Sequence, residues 1–167
     1  MKHDTEKMFM EAYEAYADAI FRHCYFRVSD RERAEELAQE TFMRAWDYVA
    51  KKGNIDYMKP LLYRIANNLV IDEWRKKKSV SLDDMQEGGF DVVGVRAEEI
   101  THALDAKALM PYLDKLEPMY RDAVVMRYID DMSPKDIAET LGIRENAVSV
   151  RIHRGLEKLR SLIGTNI

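Results

Sequence analysis

Apolar residues recur at intervals of three and four along two stretches of this 167-residue chain, and between the two the recurrence stops. The break runs from Ser79 to about Arg96 and holds Gly88, Gly89 and Gly94, three of the seven glycines. A helical face cannot be carried through such a segment, so two separate helical bodies joined by a linker are expected. No stretch alternates with the period of two that a half-buried strand requires. Only Val92-Val93-Gly94-Val95 has local β character, and it lies inside the break. The predicted fold class is all-α: an N-terminal helical bundle over 1–78, a flexible acidic linker over 79–102, and a C-terminal helix-turn-helix domain over 103–167.

In the first block, Phe9, Tyr13, Tyr16, Ile20 and Cys24 mark one face of a first helix. Ser29 and Glu32 fit a capping box that opens a second. Its stripe of Ala34, Leu37, Ala38, Thr41, Phe42, Ala45, Trp46 and Val49 is the most sustained in the chain, and Gly53-Asn54 interrupts it. A third helix starts around Lys59-Pro60, where the missing N–H of proline is harmless. It carries Leu62, Ile65, Leu69 and Trp74 into the basic run Arg75-Lys76-Lys77-Lys78.

The second block places Leu109, Leu113 and Leu116 on one helix and Val124, Val125, Tyr128 and Ile129 on the next, which Pro118 opens. Ser133 is then a good N-cap, Pro134 suits the first helical position and Asp136 the third, while Ile137, Ala138 and Leu141 form the buried face. Gly142 fits the left-handed residue that ends such a helix. On the final helix Val148, Ile152, Leu156, Leu159 and Ile163 share one side. A short capped helix, a glycine turn and a longer helix with a basic free face make a helix-turn-helix. Asn146, Val150 and Arg154 point away from the apolar side, flanked by Ser149, His153 and Arg151. The early residues of such a helix reach base edges in the major groove, and its cations neutralise phosphates.

The formal charge of −4, from 26 basic and 30 acidic side chains, argues at first against a nucleic-acid partner. Its distribution argues otherwise. Residues 79–118 hold three basic and nine acidic side chains, whereas 64–78 and 144–167 each hold five basic and two acidic, a local +3. Beyond a Debye length of about 8 Å the acid of the connector is largely screened. Hydrophobic residues at 47% and only four prolines exclude a disordered chain. The single cysteine, Cys24, makes no intrachain disulfide, and the longest apolar run, Ala123-Val124-Val125-Met126, falls far short of the roughly 18 residues of a membrane span. With no signal sequence opened by Met1-Lys2-His3-Asp4, a cytoplasmic protein without membrane insertion is expected. His3, His23, His102 and His153 are scattered, and no phosphate-cradling loop, nucleophile elbow or metalloprotease helix is present. No enzyme, metal or cofactor is expected.

The binding faces are less determined. The basic end of the third helix follows Arg64, Asn67 and Asn68, with the Lys51-Lys52-Gly53-Asn54 loop upstream; amides beside cations and aromatics such as Tyr57 and Tyr63 suit unstacked single-stranded bases. A basic run is equally a solvated helix end favoured by the helix dipole. Glu36, Gln39 and Glu40 line the polar side of the second helix, either as a wet face or as a docking surface. These features leave open a stand-alone helix-turn-helix regulator with an N-terminal sensor or dimerisation domain, and a helical adaptor that binds no DNA.

Three segments in order narrow the choice. Ala34-Glu35-Glu36-Leu37-Ala38-Gln39-Glu40-Thr41-Phe42 resembles the core-binding helix of the extracytoplasmic-function sigma factors, the small two-domain class of bacterial RNA polymerase specificity subunit. Leu62-Tyr63-Arg64-Ile65-Ala66-Asn67-Asn68-Leu69-Val70-Ile71-Asp72-Glu73-Trp74-Arg75 is similar to that family's minus-ten helix. The run from Met132 to Ile143, followed by Ala147-Val148-Ser149-Val150-Arg151-Ile152-His153-Arg154, is similar to its minus-thirty-five helix-turn-helix. The resemblance implies a sigma factor that binds core RNA polymerase and directs promoter recognition and melting. It sets Glu36, Gln39 and Glu40 against the polymerase clamp coiled coil, with the flap as a further polymerase contact. It puts Asn68 at a flipped base of the minus-ten element, with Lys52, Asn54, Tyr57, Arg64 and Arg75 as further minus-ten contacts and the loop from Lys51 to Lys59 as the specificity loop. Minus-thirty-five contacts are implied for Asn146, Ser149, Val150, His153 and Arg154, with Arg151 holding the DNA backbone or the helix packing. The linker is implied to run through the RNA exit region, and an anti-sigma factor is implied as a partner.

Overall fold

The structure, a computed structural model, describes residues 2–53, 56–80 and 106–164, with side chains over 2–53, 56–77 and 108–164. Among the described residues there are seven α-helices, one π-helical turn and no strand, in agreement with the all-α expectation. The chain divides into two compact units, Met1–Trp74 and Arg75–Ile167, and the division falls inside the third helix.

In the first unit α1 (Lys2–Val28) and α2 (Arg31–Lys52) form an antiparallel hairpin. Phe9 packs edge-on against Trp46 at 5.1 Å and Tyr13 against Phe42 at 4.8 Å, so the register rises along one helix as it falls along the other. The expected stripe of α2 is buried from Ala34 to Val49 except for Trp46, which is half-buried. The expected capping box of Ser29 and Glu32 does not form. Only two residues join the helices, and Ser29 is used to end α1: it takes a φ of 58° and its N–H donates to the Tyr25 carbonyl at 2.9 Å. Asp30 caps α2 instead, its carboxylate accepting from the Arg33 N–H at 3.2 Å. At the far end Gly53, with a φ of 80°, closes α2 onto the Val49 carbonyl.

The third helix, α3 (Met58–Val80), begins one residue earlier than expected and runs two residues into the segment assigned to the linker. The rest of that linker, and Asn54, lie outside the described residues. Met58, Leu62, Tyr63, Ala66, Asn67, Leu69 and Val70 are buried. Two of these correct the sequence expectation. Asn67 accepts a hydrogen bond from the fully buried Arg27 Nη1 at 2.7 Å, and Tyr63 meets the buried His23 ring edge-on at 5.4 Å. Both therefore belong to the core and neither is available to hold a base.

In the second unit α4 (Ala106–Asp114) and α5 (Pro118–Val124) precede a π-turn, Val125–Ile129, then α6 (Pro134–Leu141) and α7 (Glu145–Gly164). Leu109, Leu113 and Leu116 are buried as expected. Arg121, also buried, donates to Asp114 Oδ1 at 3.0 Å, which ties α5 back to the end of α4. The next apolar face differs from expectation. The Asp130 N–H reaches back five residues to the Val125 carbonyl, and this wider turn keeps Val125 and Met126 inside while Tyr128 points to solvent.

The caps of the helix-turn-helix form as its sequence predicts, and Ile137 and Ala138 are buried, whereas Leu141, expected with them, is half-buried. The Ser133 hydroxyl accepts from the Asp136 N–H at 3.1 Å, Pro134 is the first helical residue, and Gly142 ends α6 in the left-handed region with φ 68° and ψ 36°. Packing of α7 on α5 rests on Gly155, which is buried and where an added Cβ would lie 2.6 Å from Val124 Cγ2 and 3.3 Å from the Tyr120 carbonyl oxygen. Any side chain must push the two helices apart. Gly155→Val is therefore expected to cost about 1–3 kcal/mol of stability, read as a lower midpoint of chemical denaturation; an unchanged midpoint would contradict the close crossing.

Candidate functional site

The polar side of α2 repeats at three and four: Glu36 and Gln39 are exposed and Glu40 is half-buried. Its carboxylates are partnered within the chain. Glu36 accepts from Arg33 Nη1 at 2.6 Å and Glu40 from Arg44 Nη2 at 2.7 Å. Arg33 also donates to Glu73 of α3 at 2.7 Å, and its two carboxylates, Glu73 above all, hold its guanidinium proton more tightly than in water. Beside this face an apolar groove runs between α1 and α2, lined by Phe9, Met10, Tyr13, Phe42, Met43 and Trp46, with Gln39 on its rim. Met43 is 69% exposed and Met10 54%, so the groove opens to solvent as a contiguous apolar patch. Sequence reasoning missed the groove, although both methionines fall beside the expected stripes rather than in them.

On α3, Arg64 and Asn68 are exposed one turn apart, which puts them on the same side of the helix. Arg75 is exposed farther along, beyond the division between the units. Lys52, at the end of α2, lies 5.4 Å from the centre of the Tyr48 ring, a cation–π pair that the sequence reading did not include. Tyr57, just before α3, is 73% exposed, so a large apolar ring stands in water where a base can stack on it.

On α7, Asn146, Ser149, Val150, His153 and Arg154 are exposed, and Arg151 is half-buried. The opposite side buries Val148, Leu159 and Ile163, while Ile152 and Leu156 are half-buried. His153 Nε2 lies 3.1 Å from Glu157 Oε1 one turn on. An exposed pair of this kind contributes little to stability and leaves the imidazole at the surface. The arrangement offers a row of hydrogen-bonding and cationic side chains about as wide as a helix, which is what a major groove admits. Among the described residues no group of His, Cys, Asp and Glu is placed to hold a metal ion, and no helix is long and apolar enough to cross a membrane.

Comparison with known proteins is consistent along the chain. The model of the family described as "Sigma-70 region 2" matches residues 12–80, and that described as "Sigma-70, region 4" matches residues 106–159. The ECF RNA polymerase sigma factor SigW of Bacillus subtilis is 33% identical over 96% of this chain and 91% of its own length. SigM of the same organism is 28% identical over 94% of this chain and 96% of its own. Among solved structures, the sigma factor RpoE in complex with the anti-sigma factor NepR from Bartonella quintana superposes with a TM-score of 0.72 at 23% identity, over 96% of this chain and 99% of that one. CnrH in complex with the cytosolic domain of CnrY gives 0.71 at 21%, over 97% and 91%. At these identities the structural likeness bears on the fold alone. Region 2 occupies the block where a stand-alone regulator would carry its sensor. With both regions matched in order and a relative one-third identical along nearly its whole length, the chain belongs to the extracytoplasmic-function family of RNA polymerase sigma factors: it binds core RNA polymerase, directs promoter recognition and is not an enzyme.

Proposed function

We propose that the three faces divide the work of a sigma factor between polymerase and promoter. Glu36, Gln39 and Glu40 meet the basic clamp coiled coil, with the adjoining groove taking apolar side chains of the same partner. Lys52, Asn54, Tyr57, Arg64, Asn68 and Arg75 engage the minus-ten strand as it opens, and Asn146, Ser149, Val150, Arg151, His153 and Arg154 the minus-thirty-five duplex. The functional domains are 1–78 and 103–167, and the linker over 79–102 lies along the RNA exit region, where its acid mimics nucleic acid. The protein works in the cytoplasm, contacts the flap through its second domain, and is held by an anti-sigma factor until a signal arrives.

The observation that carries this reading is the distribution of charge along the chain. The exposed hydrogen-bonding rows of α3 and α7 fall in segments that each carry a local +3, whereas Glu36, Gln39 and Glu40 share one side of α2, a helix whose five basic and five acidic side chains sum to zero. Two faces for DNA need that distribution, and a chain with a net charge of −4 has little net attraction for free duplex.

Two substitutions test the assignment. Glu40→Lys exchanges an anion for a cation on the polymerase side, and core affinity in a binding titration should fall at least about ten-fold with the helical circular dichroism preserved; wild-type affinity would contradict the clamp assignment. Arg154→Ala should cost about 1–3 kcal/mol in discrimination at the minus-thirty-five element. Holoenzyme selection on a randomised promoter library reads this directly, and an unaltered preference would remove α7 from base reading.

A further inference from the structure

Among the described residues Val150 is the one leucine, isoleucine or valine that stands exposed, at 46%; the others are buried or half-buried. It is the sixth residue of α7, and at about 100° per residue it lies about half a turn round the helix from the buried Val148, Leu159 and Ile163. Core packing therefore does not account for it. Helix formation does not either, since a β-branched side chain is a poorer choice than alanine, lysine or glutamate at an open helical position. Its neighbours on that side are polar: Asn146 and Arg154 lie one turn before and after it and His153 three residues on, all exposed.

Asn146, His153 and Arg154 can form hydrogen bonds with base edges, and valine cannot. In the major groove only one of the four bases presents an apolar group, the C5 methyl of thymine. The two γ-methyls of Val150 are held in one strongly favoured rotamer, so they meet such a group with little further loss of side-chain freedom. The side chain is also short, and contact through it brings the α7 backbone close to the base edges, with the longer Arg154 reaching out one turn away. We propose that Val150 is a specificity-determining residue that reads the methyl group of a thymine, on either strand, within the minus-thirty-five element. The proposal rests on the reading of α7 as the helix that enters that element, and it adds the chemical identity of one base pair. An A·T pair sets its methyl against the valine, whereas a G·C pair at the same place buries the valine against hydrogen-bonding groups that it cannot satisfy.

The test uses holoenzyme assembled from core RNA polymerase and the full-length protein, on a promoter that it selects from a randomised library. Each thymine of the minus-thirty-five element, on both strands, is replaced in turn by deoxyuridine, which lacks only the methyl group. One replacement is expected to weaken holoenzyme binding about four-fold, the effect of one methyl group left without its apolar contact. Val150→Ala removes both γ-methyls at an exposed position and puts a better helix former there, so helical circular dichroism and the thermal midpoint should be kept. It should weaken binding to the thymine promoter by a similar factor and leave binding to that deoxyuridine promoter nearly unchanged, so that the two losses do not add. A selected element without an A·T pair, or the lack of a deoxyuridine effect at every position, overturns the proposal. So does an effect that keeps its full size in Val150→Ala, which is what a change in DNA shape would give. Arg154→Ala on the same library separates the two levels: an altered preference with no link between Val150 and a methyl group contradicts this inference alone, whereas an unaltered preference in both variants contradicts the placement of α7 in the element.

Discussion

Arg27 has no exposed surface, and the contacts of its Nη1 tie the first helix of the unit to the third. A guanidinium only donates, so its partners must accept: Asn67 Oδ1 at 2.7 Å and His23 Nε2 at 3.0 Å. Removing either acceptor leaves a charge inside the core with a donor unmet, a loss that a small helical domain of marginal stability cannot absorb easily. The triad joins α1 to α3 and fixes the rotation of α3 about its own axis. With Asn67 turned inward, Asn68 is carried about 100° round the helix and faces out, on the side where Arg64 also lies. The outward row of α3 is thus a consequence of an inward polar contact.

The same economy recurs in the charged side chains. Arg33 and Arg121 sit between elements and bind carboxylates that are close in space, Glu36 and Glu73 in one case and Asp114 in the other. These pairs set the geometry of elements rather than supplying much net stability, because desolvation offsets most of the Coulomb gain. The pairs on open helix surface, such as Arg31 with Glu35 and His153 with Glu157, contribute little and leave their side chains available to a partner. In a chain with a charge of only −4, segments 64–78 and 144–167 still each carry a local +3.

Much of this was legible in the sequence, and the exceptions have physical causes. The α2 stripe, the Ser133–Pro134 start and the Gly142 stop follow from periodicity and from capping chemistry local to a few residues. The faces of α7 follow in the same way, because helical spacing alone separates Val148 from Asn146 and Val150. What failed depended on partners distant in sequence. Asn67 and Tyr63 looked like surface groups until Arg27 and His23, some forty residues earlier, claimed them. Ser29 lost its capping role because the connection was too short to spare it. The π-turn that leaves Tyr128 outward widens the helix at the end of the apolar run Ala123-Val124-Val125-Met126, which no period reveals. Gly155 carried no signal because a glycine within a helix reads as a weak position, not as a crossing point. The roles of the exposed residues came from resemblance, since exposure says only that a side chain is available.

A sigma factor acts through polymerase, and reconstituted transcription reads this out: purified core RNA polymerase, the full-length protein and a library of promoter fragments, with transcript ends mapped. Initiation is expected at defined starts and only with the protein present, with weak binding to the same duplexes when polymerase is left out. Tight duplex binding by the protein alone, with no defined start when core polymerase is present, would contradict it.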